Sequence, residues 1–405
     1  MTTTSLSALE EIQAREARHV LQTYRRAPLA FVRGKGVRLY DSEGREYLDL
    51  LSGIGVASLG HAHEGLARAI ADQAQTLLHT SNLFYHPLQG QVAERLAELS
   101  GLSRVFVCNS GAEAVEACLK FARRYWYTKG ESRPEIIALE ESFHGRTMGA
   151  LSVTSDEHYR APFEPLLPGV RFVPVNDPAA LLAAVSSSTA AIIAEPVQGE
   201  GGVRPLTPAF AAAINEACAK TGALLIADEV QSGLGRTGVP FYFTELGLKP
   251  HLVSVGKALG GGVPVGAAII GDEVASTISY GDHGSTYGGN LLACRAAICF
   301  LDELTSGGVL DNVRRVGRFF GERLHAIAAK HAFVKEVRGM GLIWGLDLTR
   351  DAAPVVPAGL AHGVVVNRTA ETVVRLLPPL VITEAEADQA LGRLDAALLA
   401  VGAGA

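Results

Sequence analysis

The sequence predicts an α/β protein, with a large domain built on a mainly parallel sheet and a smaller α+β domain beside it. Three observations carry this. From Val105 onward, short apolar runs alternate with helical segments, as strands joined by crossover helices do. Two of those runs, opening LLIADEVQSGLGRTG and HLVSVGKALGGGVPVG, lead into polar and glycine-rich stretches, the character of strand ends at a ligand crevice. Beyond residue 330 the alternation gives way to closely spaced apolar runs and one final helix.

Taken in order, residues 5–19 have the pattern of a short amphipathic helix, and YRRAPLAFVRGKG (24–36) reads as extended or looped. VRLYD, SEG and REYLDLL form a tight hairpin with Gly44 at the turn. LSGIGVASLGHAH (51–63) is a glycine-rich connection, and helices follow at about 64–78 and 88–99. RVFVC leads into the helix AEAVEACLKFARRYW, EIIAL into a small-residue segment, and VRFVPVN into a helix over 178–185. AAIIAEP runs into glycines. TPAFAAAINEACAKTG is a helix with Thr207 as N-cap before Pro208. The strands that open LLIADEVQSGLGRTG and HLVSVGKALGGG, and the strand GAAIIG, follow, then helices near 291–305 and 310–330. The tail holds apolar runs in VKEVRGMGLIWGLDL, HGVVVNR and TVVRLLPPL, a helix from about 384, and a VGAGA end expected to fray.

Bulk properties exclude several classes. The 405 residues are 48% hydrophobic, ample for a large core. A net charge of -6 gives no footprint for nucleic acid or an anionic membrane. Five cysteines without paired CxxC spacing argue against a secreted disulfide scaffold and for a reducing cytoplasm. The histidines lack metal-ligand spacing, so no metal site is expected. The polar start does not resemble a signal or transit peptide, and no apolar run reaches about 18 residues, so no membrane span is expected.

Chemistry gathers at the strand ends. Lys257 follows an apolar strand and precedes glycines, a setting in which a lysine can form a Schiff base with an aldehyde. Asp228 ends LLIAD and suits a protonated pyridine nitrogen, with Gln231 placed to donate to a phenolic oxygen. Ser110, Gly111 and Ala112 stand where a strand yields to a helix, a position that favours phosphate. Phe143 can cover a flat ring beside His144, and Arg146 can clasp a carboxylate. Arg375, in an apolar strand, needs an anion; Glu200 and a substrate carboxylate are both candidates.

Together these pieces resemble a family. GHAH (60–63), NSGAEA (109–114), FHGRT (143–147), EPVQGEGG (195–202), ADEVQSGLGRTG (227–238), SVGKALGGGVPVGA (254–267), STYGGN (285–290) and RLLPPL (375–380) are similar to the class III, ornithine-aminotransferase-like pyridoxal-phosphate enzymes. Among these they look most like the acetylornithine branch. The resemblance implies fold type I, with a mixed, mainly parallel seven-stranded sheet over residues 61–305. Residues 1–60 and 306–405 would make the smaller domain. It implies a homodimer with shared sites.

Residue by residue, it makes Lys257 the Schiff-base lysine and proton shuttle and Asp228 the partner of the ring nitrogen. Phe143 and Val230 would sandwich the ring beside His144, with Gln231 on the phenolic oxygen. Ser110, Gly111 and Ala112 would hold the phosphate, joined by Thr286 of the neighbouring subunit. Arg146, with Tyr24, Ile54 and Ser285 nearby, would meet the acylated donor. Arg375 would take the α-carboxylate of glutamate and 2-oxoglutarate, covered by Glu200 in the other half-reaction.

The reaction implied is transfer of the terminal amine of N2-acetyl-L-ornithine to 2-oxoglutarate by ping-pong pyridoxal-phosphate chemistry, in arginine biosynthesis. Ile54 stands where the free-ornithine enzymes carry tyrosine, which favours the acetylated donor. The same scaffold serves N-acetyllysine, carrier-bound lysine, succinylornithine, succinyldiaminopimelate, ornithine and 4-aminobutyrate, and one methylene changes discrimination by only roughly 1–3 kcal/mol. Nothing in the sequence marks a carrier-protein surface.

Overall fold

The computed structural model describes residues 7–403. Seven strands form the central sheet, in the spatial order Arg104–Cys108, Gly266–Ile270, Leu252–Val255, Leu224–Asp228, Thr189–Ala194, Glu135–Leu139 and Val170–Val173. Gly266–Ile270 runs antiparallel to both neighbours, and the remaining pairings are parallel. The expected mixed, mainly parallel seven-stranded sheet is therefore present.

Alternation along the strands explains why the apolar runs are continuous. Leu224 and Ile226 pack with Val115, Phe121 and Ala122 of the helix Gly111–Thr128. Leu225 and Ala227 point to the opposite core, with Phe210 and Ile214 of the helix Pro208–Thr221. A strand covered on both faces cannot afford a polar side until it ends. Thr207 caps its helix as expected, accepting the Phe210 N–H at 3.2 Å.

Two smaller sheets involve the chain ends. Phe31–Lys35, Arg38–Asp41 and Glu46–Asp49 form an antiparallel meander, and Val364–Val365 adds to its last strand in parallel. Val334–Met340, Ile343–Leu348, Val373–Leu376 and Asn367–Thr369 form the other, fully antiparallel. Arg375 thus sits on a strand with neighbours on both sides.

The stretch read as extended or looped contains an extended strand, Phe31–Lys35. Two helix bounds are sharpened. The first helix runs Ala8–His19, closed by a capping box between Ser7 and Glu10; residues 5 and 6 of the expected helix lie outside the described residues. The final helix, Glu384–Ala403, continues through Val401, Gly402 and Ala403, which were expected to fray. Arg350 donates to the Val401 carbonyl at 3.4 Å, and Phe333 fills the space beside Gly402. Residues 404 and 405 lie outside the described residues. No helix among the described residues is long and apolar enough to cross a membrane.

Candidate active site

Parallel register sets the base of the crevice. Asp228 closes its strand directly beside Ser254 of the next one. Its Oδ1 accepts the Ser254 hydroxyl at 3.0 Å and the Val230 N–H at 3.1 Å, and Oδ2 lies 2.6 Å from Nδ1 of the buried His144. Burial opposes a charge on His144, but the hydrogen bond and charge of Asp228 outweigh it and raise its pKa. A carboxylate has room for more acceptor bonds than these three, so Asp228 can also face a cationic ring N–H.

Lys257 follows the neighbouring strand across Gly256 and holds φ +40°, an unfavourable value for a side-chain-bearing residue. A Cβ on Gly256 would lie 2.9 Å from the Gly111 nitrogen, so only glycine lets the lysine turn meet the helix start. Burial lowers the Lys257 pKa, with Glu200 and Arg375 pulling in opposite directions. The amine is thereby biased toward the neutral, nucleophilic form.

Ser110 caps the helix Gly111–Thr128, accepting the Glu113 N–H on its hydroxyl at 3.2 Å and the Ala114 N–H on its carbonyl at 3.1 Å. The amides of Gly111 and Ala112 belong to the first turn, which has no helical acceptors, so they suit an anion. Val230 covers Gly111: its Cγ1 lies 2.6 Å from where a Cβ there would sit.

Phe143 is half-buried, and its N–H donates to Glu195 Oε1 at 2.9 Å. Arg146, next but two along, is exposed and lies 3.9 Å over the Tyr159 ring. On the far side, Arg375 Nη1 meets Glu200 Oε1 at 2.5 Å and Gln231 Oε1 at 3.1 Å. Burial would raise the Glu200 pKa, but Arg375 overrides it and holds the carboxyl low. Arg375 is fully buried and its Nη2 lacks a hydrogen-bond partner among the described residues. A buried guanidinium with a spare donor edge suits an incoming carboxylate. Of the two anions open for Arg375 on sequence, Glu200 is the one the fold supplies.

The structure therefore packs Gly111, next to Ser110, against Val230 and against Gly256, the residue before Lys257; it joins Asp228 to His144, and Arg375 to Glu200 and Gln231. Ile54 lies in a run of positive φ from Ser52 to Gly55, and a Cβ on Gly55 would sit 3.8 Å from the Lys257 side chain. The glycine-rich connection is thus a wall of the crevice. Ser285 accepts from Asn109 Nδ2 at 3.1 Å, next to the phosphate turn, while Thr286 is exposed. Tyr24 is 74% exposed, and Arg146 stacks on Tyr159. Sequence reading missed Glu195, Ser254, Tyr159 and Thr369. A carboxylate at the end of the apolar run AAIIAEP was a signal for Glu195; Ser254 needed the register.

Cavities of about 480 and 600 Å³ share Trp126 and Arg133, and Leu224, at the start of its strand, lines the smaller. They lie at the opposite end of the sheet from Asp228, and no residue of the crevice lines them.

A lysine and a carboxylate at adjacent strand ends, with a glycine-lined helix start between them, define the pyridoxal-phosphate enzymes of fold type I. Within that class, the chain belongs to the class III aminotransferases: the pattern described as "Aminotransferase class-III" matches residues 20–398. It is 45% identical over 381 residues to the acetylornithine aminotransferase of Methanocaldococcus jannaschii, covering 94% of this chain and 96% of that one. Its identity to the acetylornithine aminotransferase of Archaeoglobus fulgidus is 47%, covering 93% and 97% of the two chains. Among solved structures, the ornithine aminotransferase of Toxoplasma gondii superposes with a TM-score of 0.94 at 34% identity, covering 99% and 97%. The acetylornithine aminotransferase of Elizabethkingia anophelis gives 0.87 at 31%, covering 98% and 100%.

Class III aminotransferases use pyridoxal phosphate, and they act on amines and oxo acids. The residues here fit that cofactor. Gly111 and Ala112 offer first-turn amides to a phosphate beside the capping Ser110, Asp228 offers a buried carboxylate, and the glycines at 111 and 256 leave room that a Cβ would close.

Proposed function

We propose that the chain transfers the terminal amino group of N2-acetyl-L-ornithine to 2-oxoglutarate, giving N-acetyl-L-glutamate 5-semialdehyde and L-glutamate, in arginine biosynthesis. The observation that carries this is the closed pair of Arg375 and Glu200: one guanidinium that a carboxylate of the chain itself can cover. An enzyme that alternates between a dicarboxylate and an acylated donor needs a carboxylate site that opens for only one of them. The names of the relatives, at 45% and 47% identity over nearly the whole chain, support the donor.

In this reading, Lys257 Nζ would hold the cofactor through its aldehyde carbon, and the same amine, when free, would serve as the base that takes and returns the substrate's proton. Pyridoxal phosphate, when bound, supplies an electron-poor ring that takes up the charge left by the departing proton. Asp228, held by His144 and Ser254, would favour a protonated ring nitrogen. Phe143 and Val230 would hold the ring, the amides of Gly111 and Ala112 would take the phosphate, and Gln231 would serve the ring oxygen. Arg146 receives the donor's α-carboxylate, with Ile54 and Ser285 shaping that side.

Two further parts belong to the same reading. A second copy of the chain completes each site through Thr286, and the homodimer works in the cytoplasm. The cofactor domain spans 61–305, with 1–60 and 306–405 forming the smaller domain. The parallel pairing of Glu46–Asp49 with Val364–Val365 supports joining the two chain ends.

The test is a comparison of kcat/KM for amine donors against 2-oxoglutarate. N-acetylornithine is expected to lead ornithine, N-acetyllysine, succinylornithine, succinyldiaminopimelate and 4-aminobutyrate. A preference for free ornithine or 4-aminobutyrate overturns the donor assignment.

A further inference from the structure

Glu200 is held by its backbone as well as by Arg375. The residue before it, Gly199, donates its N–H to Glu195 Oε2 at 3.2 Å, while Glu195 Oε1 takes the Phe143 N–H. The hydroxyl of the buried Thr369 donates to the Glu200 carbonyl and also lies 3.4 Å from Glu200 Oε2, so it holds both the backbone and the resting side chain. Two residues on, the Gly202 carbonyl accepts Arg338 Nε at 2.7 Å. There is also no slack in the packing. A Cβ on Gly199 would lie 2.1 Å from Gln231 Oε1, and one on Gly201 would lie 2.5 Å from the Glu141 carbonyl. The Glu200 side chain, by contrast, is 34% exposed.

We propose that Glu195 and Thr369 are positioning residues that clamp the chain on either side of Glu200, so that uncovering Arg375 is a rotation of one side chain on a fixed backbone. This rests on the reading of Arg375 as the glutamate site. Glu195 then has a double duty, because the same carboxylate that fixes the root of Glu200 fixes the backbone of Phe143. The ring-stacking residue and the gate share one anchor.

A loosened clamp should cover Arg375 less well, which eases the entry of glutamate. The test uses the full-length enzyme loaded with cofactor, each half-reaction being followed separately by rapid-mixing absorbance. Thr369→Val is expected to lower the half-saturation for glutamate relative to that for N-acetylornithine by about fivefold, the effect of one ordinary hydrogen bond. Thr369→Ser, which keeps the hydroxyl, is expected to restore the parent ratio. In cofactor-free protein, Glu195→Gln is expected to speed hydrogen exchange at the Phe143 and Gly199 amides, a readout independent of activity.

Arg375→Ala separates the two claims. If it weakens only the glutamate half-reaction while Thr369→Val leaves the ratio unmoved, the clamp is overturned and the reading of Arg375 stands. If Arg375→Ala weakens both half-reactions alike, the reading of Arg375 fails and the clamp fails with it.

Discussion

Arg375 and Glu200, 175 residues apart in the chain, form a hydrogen-bonded ion pair whose cation is fully buried and whose anion is partly open to solvent. That asymmetry decides which partner can move. Removing the guanidinium from a charged contact with glutamate is expected to cost about 1.5–3 kcal/mol, roughly 10- to 150-fold in kcat/KM for that half-reaction. Arg375→Ala should show this in single-turnover measurements with glutamate, with a much smaller change for N-acetylornithine. Glu200→Ala should do the reverse, favouring glutamate, because the cover is gone.

Lys257→Ala is expected to abolish the visible absorption of the covalently held cofactor and to lower kcat by about 10²–10⁴-fold or more, as loss of a proton carrier does. Spectra after extensive washing check this. An unchanged resting spectrum would show that another amine holds the cofactor.

Asp228 is the only carboxylate hydrogen-bonded to His144 among the described residues. Asp228→Asn should lower kcat by about a hundredfold or more, as the loss of a preorganised charge does. It should also shift the pH dependence of cofactor absorbance, since the charge that favours a protonated ring nitrogen is removed.

Gly111→Ala places a Cβ 2.6 Å from Val230 Cγ1. Overpacking of this kind costs about 1–3 kcal/mol. The expected outcome is faster cofactor loss on dilution and a lower Tm, both partly recovered in the double variant with Val230→Ala. Recovery would show that the clash, rather than the altered helix start, is responsible.

Glu229 gives a pH prediction. Burial pushes its carboxyl up to about 7, against the hydrogen bonds from the Ser232 hydroxyl and the Phe243 N–H. A raised folded-state pKa means that the folded chain binds more protons than the unfolded one between about 4.5 and 7. This contribution to stability is full below that window and is lost as pH rises through it. Glu229→Gln should therefore flatten the fall of Tm with pH across the window, measured on cofactor-free protein. Glu195, raised to about 7 by the same burial, keeps part of the slope.

The central sheet was legible because burial on both faces forces continuous apolar runs, and such runs end where chemistry begins. Asp228 and Lys257 were visible for that reason. Their supports were not. Ser254 reaches Asp228 only through the register of two strands, and Thr369 reaches Glu200 from a different sheet. Ser52 and Ile54 carry no residue signal for positive φ, so the wall beside Lys257 read as a plain connection. Arg375 announced its need for an anion, but sequence separation left Glu200 and a substrate carboxylate equally open.

The parallel pairing of Leu48 with Val364 has a consequence for the order in which the enzyme comes into being. Chains are made from the N-terminus, and domains fold as they emerge. All seven strands of the central sheet, with Asp228 and Lys257, are synthesised before residue 271. The N-terminal hairpin, made first, must wait for the last eighth of the chain to supply its neighbouring strand, and Arg375 arrives in that same stretch. A ribosome stalled after Thr286 but before Val364 carries the residues proposed to bind the cofactor, but lacks the one proposed to tell a dicarboxylate from any other amine.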